Sequence, residues 1–414
     1  ADLAGDRDEP GSVPWSLRSG RLRFSTCPST AEWVAALTDR VERSAVVTDA
    51  ITRVAEKAIE HETDPAEKAR KLAKKIRESF NFVNDANALR GLACRSAAEV
   101  CRANYGNTLE SAAFLLAATR ALGLEAAVLI GVDADRWGDG DSVSPGLAGF
   151  SGAVVRVESS EGALLFHPQH GEIKNPGSWG RHYVLSARGG ELKSDYVYAR
   201  GERGGSDLRI TGKIAVDKDA KATGELRIHA TGQFFDPADL DSADAQKKWV
   251  EDIVGRVVSD LKVTSHSVVM LSEELLKVTA QVATEDSIKK SAGLSTIRLG
   301  DGLALQNTFH LPLDRSYRRT GVRLLGDVRE NVNLTIELPE DWMASIVPTS
   351  LKAVEGSWGR VEQSAGFEDH TLHFSRSVSI EGSTIAPDAF DSLRKAVNEL
   401  RTNKSVMFGF QTGQ

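Results

Sequence analysis

The segment that most constrains the fold of this chain runs from Tyr105 to Gly123, with the sequence YGNTLESAAFLLAATRALG. A glycine turn is followed by residues that are small or apolar at most positions, which predicts a tightly packed helix. After Glu125 the helical spacing gives way to short apolar runs, EAAVLIGV, GAVVRVES and GALLFHP, which are typical of buried strands. Helices followed by antiparallel strands predict an α+β fold.

Amphipathic patterns predict further helices upstream, over 46–61 and 66–80, and a helix that begins near a capping serine at Ser29. From about residue 200 most segments alternate between apolar and polar residues, which indicates a β-sandwich-like region interrupted by helices near 238–261 and 387–400. We therefore expect an N-terminal remnant of a preceding β-domain with a helical linker, a central core and a β-rich region. The expected domain bounds are 1–49, 50–199 and 200–414, with a division of the last into 200–325 and 326–414 as an alternative.

Composition excludes several classes of protein. A chain of 414 residues exceeds what a single hydrophobic core normally organises. Its net charge of −7, with both signs interspersed, argues against a nucleic-acid partner, and no apolar run approaches the roughly 20 residues that span a bilayer. The first residues lack the pattern of a signal peptide, although a mature or trimmed terminus would look the same.

The three cysteines, Cys27, Cys94 and Cys101, are too few for a disulfide framework. Cys94 and Cys101 form a disulfide or serve as small apolar residues, and the second alternative is favoured because Cys101 shares a helix face with Ala97 and Val100. The sequence alone does not settle their redox state.

Three stretches resemble bacterial transglutaminase-like proteins over roughly residues 50–190. The first, AEKARKLAKKIRESFNFV, resembles the helix that leads into that family's first strand. The second, RSAAEVCRANYGNTLESAAFLLAATRALGLEAAVLIGV, resembles the unit that carries the nucleophile, and FSGAVVRVESSEGALLFHPQHG resembles the two strands that follow. The resemblance implies a papain-like core with flanking β-domains. It also implies a bacterial, extracytoplasmic setting, periplasmic or secreted.

In that family a cysteine at the start of the helix is the nucleophile, a histidine on the next strand is the base, and an aspartate on the following strand orients it. The matching positions here are Thr108, Gly152 and His167. A threonine offers no thiolate, a glycine offers no base, and loss of one triad member typically costs about a thousandfold or more in rate. The resemblance thus predicts a vestigial triad and no catalytic residue.

Five other residues are candidates for a cleft or ligand contact: Asn107, Glu110, His170, Trp137 and Trp179. Thr108 is expected to cap the helix or pack locally, with Glu110 near the positive end of the helix dipole. His167 and His170 lie in HPQH, where a base or half of a metal site is weighed against imidazoles at an ordinary strand end. The two tryptophans either stack on a ligand or simply cover core surface.

No cofactor motif and no metal site is expected. The chain has no phosphate-binding loop, dinucleotide fingerprint or HExxH helix, and DADRWGDGD lacks the ligand spacing of a calcium loop.

The leading hypothesis is a non-catalytic binding or scaffolding protein that recognises a peptide, a protein or a glycan of the cell surface. The alternatives are a hydrolase or amidase with a non-standard site that uses a histidine or cysteine, and a purely structural module of the cell envelope.

Overall fold

The computed structural model describes residues 27–83, 94–134, 150–173, 181–188, 190–197, 204–272, 274–288, 290–291, 294–300, 302–309, 311, 313, 318–382 and 384–411. The described residues up to 197 form one compact unit, and those from 204 onward form a second. The fold is α+β, as expected, with a helical first part and a strand-rich second part.

The first unit packs helices against a six-stranded sheet. Its helices are α1 (Thr30–Ser44), α2 (Asp49–Ile59), α3 (Pro65–Ser79), α4 (Ala97–Ala103) and α5 (Thr108–Ala121). Its sheet contains β3 (Ala126–Asp133), β4 (Phe150–Ser159), β5 (Gly162–His167), β6 (Gly171–Ile173), β7 (His182–Arg188) and β8 (Glu191–Val197), in the order β6-β5-β4-β3-β7-β8 with antiparallel neighbours. Two short strands, β1 (Asn81–Phe82) and β2 (Tyr105–Gly106), pair in parallel just before α5.

Helix α5 lies at the centre of the first unit. Every residue from 109 to 119 is buried, and the helix contacts α1, α2, α3, α4 and strands β3 and β4. Burial on all sides explains why its sequence is apolar or small at nearly every position instead of showing one apolar stripe. This packing fixes the first turn of α5 against the strands.

The second unit is built on an eight-stranded sheet with the order β11-β12-β10-β9-β16-β20-β19-β18. These strands are β9 (Ser206–Val216), β10 (Ala222–Thr231), β11 (Lys262–Leu271), β12 (Leu275–Ala283), β16 (Val328–Glu337), β18 (Leu351–Gly356), β19 (Gly359–Glu368) and β20 (Thr371–Ile380). Only β9 and β16 pair in parallel.

A four-stranded sheet and several helices complete the second unit. The small sheet has the order β13-β14-β22-β17, with β13 (Lys290–Ser291), β14 (Leu294–Arg298), β17 (Met343–Ile346) and β22 (Met407–Gln411). The helices are α6 (Ala243–Val257), α7 (Ala304–Thr308), α8 (Pro387–Leu400) and α9 (Asn403–Val406), and β15 (Val322–Arg323) pairs with β21 (Thr384–Ile385). One apolar core joins the large sheet to these elements.

Two observations bear on the expected domain bounds. Trp33, Val34 and Leu37 of α1 are buried in the same core as α5. Strands β9 and β10, from the expected range 200–325, share one sheet with β16 and β20, from the range 326–414. The stretch GRLRFST at 20–26, whose sequence predicts a strand, lies outside the described residues.

Candidate functional site

The first turn of α5 is held by a reciprocal cap. Asn107 is the N-cap, and its side-chain oxygen accepts hydrogen bonds from the backbone N–H groups of Leu109 and Glu110, both at 3.0 Å. Glu110 reaches back to accept from the N–H of Asn107 at 3.1 Å. Asn107 therefore caps the helix, and Thr108 is its first helical residue.

An ion pair fixes the same turn from outside. The guanidinium of Arg95 donates to both carboxylate oxygens of Glu110 at 2.8 Å and to the backbone oxygen of Tyr105 at 2.9 Å. Burial alone would raise the pKa of Glu110, but the hydrogen bonds from Arg95 and from backbone N–H groups lower it. Asn107 and Glu110, both candidates for ligand contact, thus have their polar groups engaged within the protein.

The three predicted triad positions meet at one point in the structure. A Cβ atom built on Gly152 would lie 2.5 Å from Nε2 of His167 and 2.9 Å from Oγ1 of Thr108. The β4–β5 hairpin brings the two residues close, because Val155 pairs with Phe166, and Gly152 and His167 lie three residues and one residue beyond that pair in the same direction. The imidazole of His167 therefore fills the space into which a side chain at 152 would project.

The hydrogen bonds of His167 fix which ring nitrogen carries the proton. Its Nδ1 accepts from the backbone N–H groups of Gln169 at 3.2 Å and His170 at 3.3 Å. A neutral imidazole that accepts at Nδ1 must carry its proton on Nε2. The ring thus presents an N–H group on the side that faces Gly152 and Thr108.

The protonated form of His167 is strongly disfavoured. The residue is 3% exposed, and burial, followed by the proximity of His170 and His182, lowers its pKa to about 3, against the opposing effect of a backbone hydrogen bond with Ser151. At neutral pH the ring is therefore neutral, and Nε2, the ring atom closest to the Cβ position of residue 152, has no lone pair to accept a proton. No hydrogen bond from a described residue reaches the buried Thr108 Oγ1.

Two residues near this point were missed by sequence reasoning. His182, on β7, is buried and acts on the pKa of His167, and Ser151 directly precedes Gly152. Ser151 lies in the FSGAVVRV stretch compared with the family, but that comparison gave it no role. His182 belongs to no motif, and β7 is joined to the site only through the sheet order, so the sequence carried no signal for it. His170 lies at the surface, with its ring centroid 4.7 Å from that of His167.

The remaining candidates are two tryptophans and the cysteines. Trp137 and Trp179 lie outside the described residues. Cys27, Cys94 and Cys101 are all free thiols, so Cys94 and Cys101 are not disulfide-bonded. Burial raises the pKa of both Cys94 and Cys101, which disfavours a reactive thiolate at either.

Two kinds of feature are absent from the described residues. Within them, no group of three or more His, Cys, Asp or Glu side chains is arranged to hold a metal ion. Among the helices in the described ranges, none has both the length and the apolar character needed to cross a membrane.

With this geometry in place, comparison with protein families assigns the first unit. Residues 52–163 match the model of the transglutaminase-like superfamily. This part of the chain is therefore similar to transglutaminase-like domains. Residues 301–406 match a second family, a domain of unknown function with a solved structure, DUF3858. The matched range 52–163 contains Thr108 and Gly152 and ends shortly before His167.

Solved structures show similarity at low identity. A crystal structure of a "putative protease" from Parabacteroides distasonis is 16% identical to this chain, with a TM-score of 0.49, and the match covers 92% of this chain and 59% of that one. The chain thus spans well under two thirds of that protein. An M1 zinc metallopeptidase from Deinococcus radiodurans matches at 9% identity and a TM-score of 0.16, over 43% of each chain. A search of curated proteins found no match.

Proposed function

We propose that the transglutaminase-like domain is catalytically inactive and serves as a binding or scaffolding module for a peptide, a protein or a cell-surface polymer outside the cytoplasm. One observation carries the proposal: Thr108, Gly152 and His167 converge on one point, and the imidazole there is a neutral N–H donor. A threonine hydroxyl attacks a carbonyl only when a neighbouring base accepts its proton. His167 is in the wrong tautomer for that role and is unable to ionise near neutral pH.

The surroundings of the site support a binding role. The first turn of α5 is rigidly held by the Asn107–Glu110 cap and the Arg95 ion pair, as a preorganised surface requires. Tyr105, two residues before the cap, is 47% exposed, and its ring lies 4.6 Å below the guanidinium of Arg95. An exposed aromatic ring on a fixed support is a common contact for peptides and sugars.

The catalytic half of the proposal is tested by comparing the wild-type protein with Thr108→Ala. We expect the same background rate from both in two assays, amine incorporation into casein and casein hydrolysis. A rate in the wild-type protein that Thr108→Ala abolishes would establish a threonine nucleophile and overturn the proposal.

The binding half is tested with Tyr105→Ala, which removes the exposed ring and leaves the cap intact. A panel of peptides and cell-wall glycan fragments is screened by thermal shift, and each hit is remeasured on the variant. We expect at least one ligand whose affinity falls on the order of tenfold in Tyr105→Ala. A panel without any hit would favour the purely structural alternative.

A hydrolase with a non-standard site is the second candidate, and the proximity of Thr108 and His167 is what favours it. Labelling with a thiol-reactive probe at neutral pH tests whether such a hydrolase would use a cysteine as its nucleophile. We expect slow labelling at Cys94 and Cys101, because burial raises the pKa of both thiols.

A further inference from the structure

The second unit carries a polar trough on its eight-stranded sheet. A concavity of about 510 Å³ is lined by residues of the five adjacent strands β10, β9, β16, β20 and β19. The volume lies within the range of small-molecule and oligosaccharide sites. The trough opens on the sheet face opposite the apolar core, because its lining side chains alternate with buried residues such as Ile210 and Val332.

Strand register builds the trough from two parallel rows. In the first row Arg227 pairs with Thr211, Thr211 with Asn333, Asn333 with Ser375, and Ser375 with Ser364. Five strands at about 4.8 Å spacing make this row roughly 19 Å long, perpendicular to the strands. Its four short hydroxyl and amide side chains form the floor.

The second row lies two residues along each strand and carries longer side chains. Glu225 pairs with Lys213, Lys213 with Thr335, and Thr335 with His373. Glu225 accepts hydrogen bonds from Arg227 and Gln281, both at 3.0 Å, so its charge is balanced locally. The row forms one wall of the trough with little net charge.

The floor has unused hydrogen-bonding capacity. Backbone groups of these strands are paired within the sheet. Across the described residues no hydrogen bond joins the side chain of Thr211, Asn333 or Ser375 to another group of the protein. Each hydroxyl both donates and accepts, and the amide of Asn333 offers both kinds of group as well. A rigid sheet therefore holds a line of donors and acceptors toward solvent.

The lining chemistry selects among ligand classes. Peptide grooves depend on apolar pockets, but the apolar residues of this lining, Leu334 and Phe374, direct their side chains into the core. Nucleic acid requires many cationic contacts, whereas the trough offers Lys213 and Arg227 against the carboxylate of Glu225. An uncharged ligand with many hydroxyl groups matches a floor of neutral donors and acceptors.

We propose that this trough binds a neutral glycan chain that lies across the strands. The inference is independent of the proposed function, because it concerns only the second unit and holds whether or not the transglutaminase-like domain is inactive. Asn333 and Thr211, at the middle of the floor, are the residues that hydrogen-bond the sugar hydroxyls.

Isothermal titration calorimetry on the full chain tests the proposal with four neutral hexasaccharides: cellohexaose, xylohexaose, chitohexaose and maltohexaose. Hexagalacturonate and a neutral hexapeptide are the comparison ligands. We expect at least one neutral hexasaccharide to bind. Asn333→Ala and the nearly isosteric Thr211→Val should each weaken its affinity about tenfold, as expected for the loss of one or two hydrogen bonds.

The matched control is Ser267→Ala, an exposed hydroxyl on β11 of the same sheet but outside the trough. Its affinity should equal that of the wild-type protein, and thermal unfolding confirms that each variant is folded. Three results would overturn the proposal: no neutral hexasaccharide binds at about 10 mM, hexagalacturonate or the peptide binds more tightly than all four, or Asn333→Ala and Thr211→Val bind as well as the control.

Discussion

At the scale of single residues, Gly152 and His167 depend on each other. The imidazole of His167 occupies the space that a side chain at position 152 would need. Gly152 also has a φ of +149°, which side-chain-bearing residues rarely adopt. The imidazole of His167, on β5, lies near the first turn of α5. The backbone N–H groups of Gln169 and His170 orient the ring.

Substitution of Gly152 by alanine should destabilise the first unit. The added Cβ collides with His167 Nε2 and Thr108 Oγ1, and overpacking of this kind typically costs about 1–3 kcal/mol in the free energy of unfolding. Chemical denaturation measures the change. The control is Gly162→Ala on the same hairpin, which has a φ of +104° but no atom within 4 Å of the added Cβ.

The collision with His167 also predicts the effect of removing its imidazole. His167→Ala should remove most of the difference between the Gly152→Ala and Gly162→Ala variants, since the imidazole is the nearest obstacle. Equal stability of the two glycine variants in the wild-type background would refute the mutual dependence of residues 152 and 167.

The low pKa of His167 should also appear in the pH dependence of stability. Its folded pKa of about 3 lies below the ordinary value of 6.5, so the unfolded chain binds a proton that the folded chain does not. The stability contributed by the neutral ring is complete above pH 6.5 and declines as the pH falls toward 3. Between pH 6.5 and about 4.5 the loss approaches 1.4 kcal/mol per pH unit.

Denaturation midpoints at several pH values, compared with those of His167→Asn, isolate this effect from that of the other titrating groups. The variant should lose less stability over that range because asparagine does not titrate. Parallel curves for the two proteins would show that His167 has an ordinary pKa.

Sequence motifs found the three converging positions but not the state of the ring. Thr108, Gly152 and His167 each stand at a recognisable place relative to a glycine turn or a strand. The tautomer depends on the backbone N–H groups of Gln169 and His170, whose direction follows from turn geometry and not from residue type. Thr108 was likewise considered as the cap, because Asn and Thr are both good N-cap residues and adjacent positions are hard to separate by sequence.

At the scale of elements, the cap of α5 differs from an ordinary cap because it is buried. Glu110→Ala removes the reciprocal bond to Asn107 and leaves Arg95 without its carboxylate, so it should cost about 2–4 kcal/mol in the free energy of unfolding. Glu99→Ala is the control. Glu99 makes the same reciprocal cap with Ser96 on α4 but is exposed, and its loss should cost clearly less than that of Glu110.

Urea denaturation of both variants gives the comparison. If Glu99→Ala proves as costly as Glu110→Ala, the buried ion pair contributes nothing beyond capping.

Element types were predictable where one periodicity dominated. The β4–β5 hairpin, helix α3 with its Asp64 cap, and the hairpin turn at 217–221 between β9 and β10 follow directly from the sequence. The helix expected at 238–261 is shorter, Ala243–Val257, because Ser242 caps it and a separate 3₁₀ turn occupies Pro237–Leu240. Strand order was not predictable, since the pairing of β9 with β16 joins segments more than 100 residues apart.

At the scale of the whole molecule, the main apolar core of each unit is separate from that of the other, which predicts separable stability. The core of the first unit and the core of the second unit share no residue. Leu116→Ala in α5 and Leu334→Ala in β16 each empty a fully buried site, which typically costs about 2–5 kcal/mol. Hydrogen-exchange mass spectrometry should show faster exchange in α5 and β4 for the first variant, and in β16 and β20 for the second.

Faster exchange in both units from either variant alone would show that the two cores unfold together.

The expected domain boundary near residue 199 follows from the change of pattern in the sequence. The shared sheet of the second unit does not, because alternating strands do not reveal their partners.

The claim that the imidazole of His167 is a neutral donor at Nε2 has a direct test. Nitrogen-15 NMR of the histidine-labelled protein reports protonation and tautomer for each of the nine histidines, and His167→Asn identifies the signal of residue 167. The account predicts a neutral ring with its proton on Nε2 and no titration from pH 8 to about pH 5. A ring that titrates near 6.5, or one with its proton on Nδ1, would leave Nε2 free to act as a base toward Thr108 and would contradict the account.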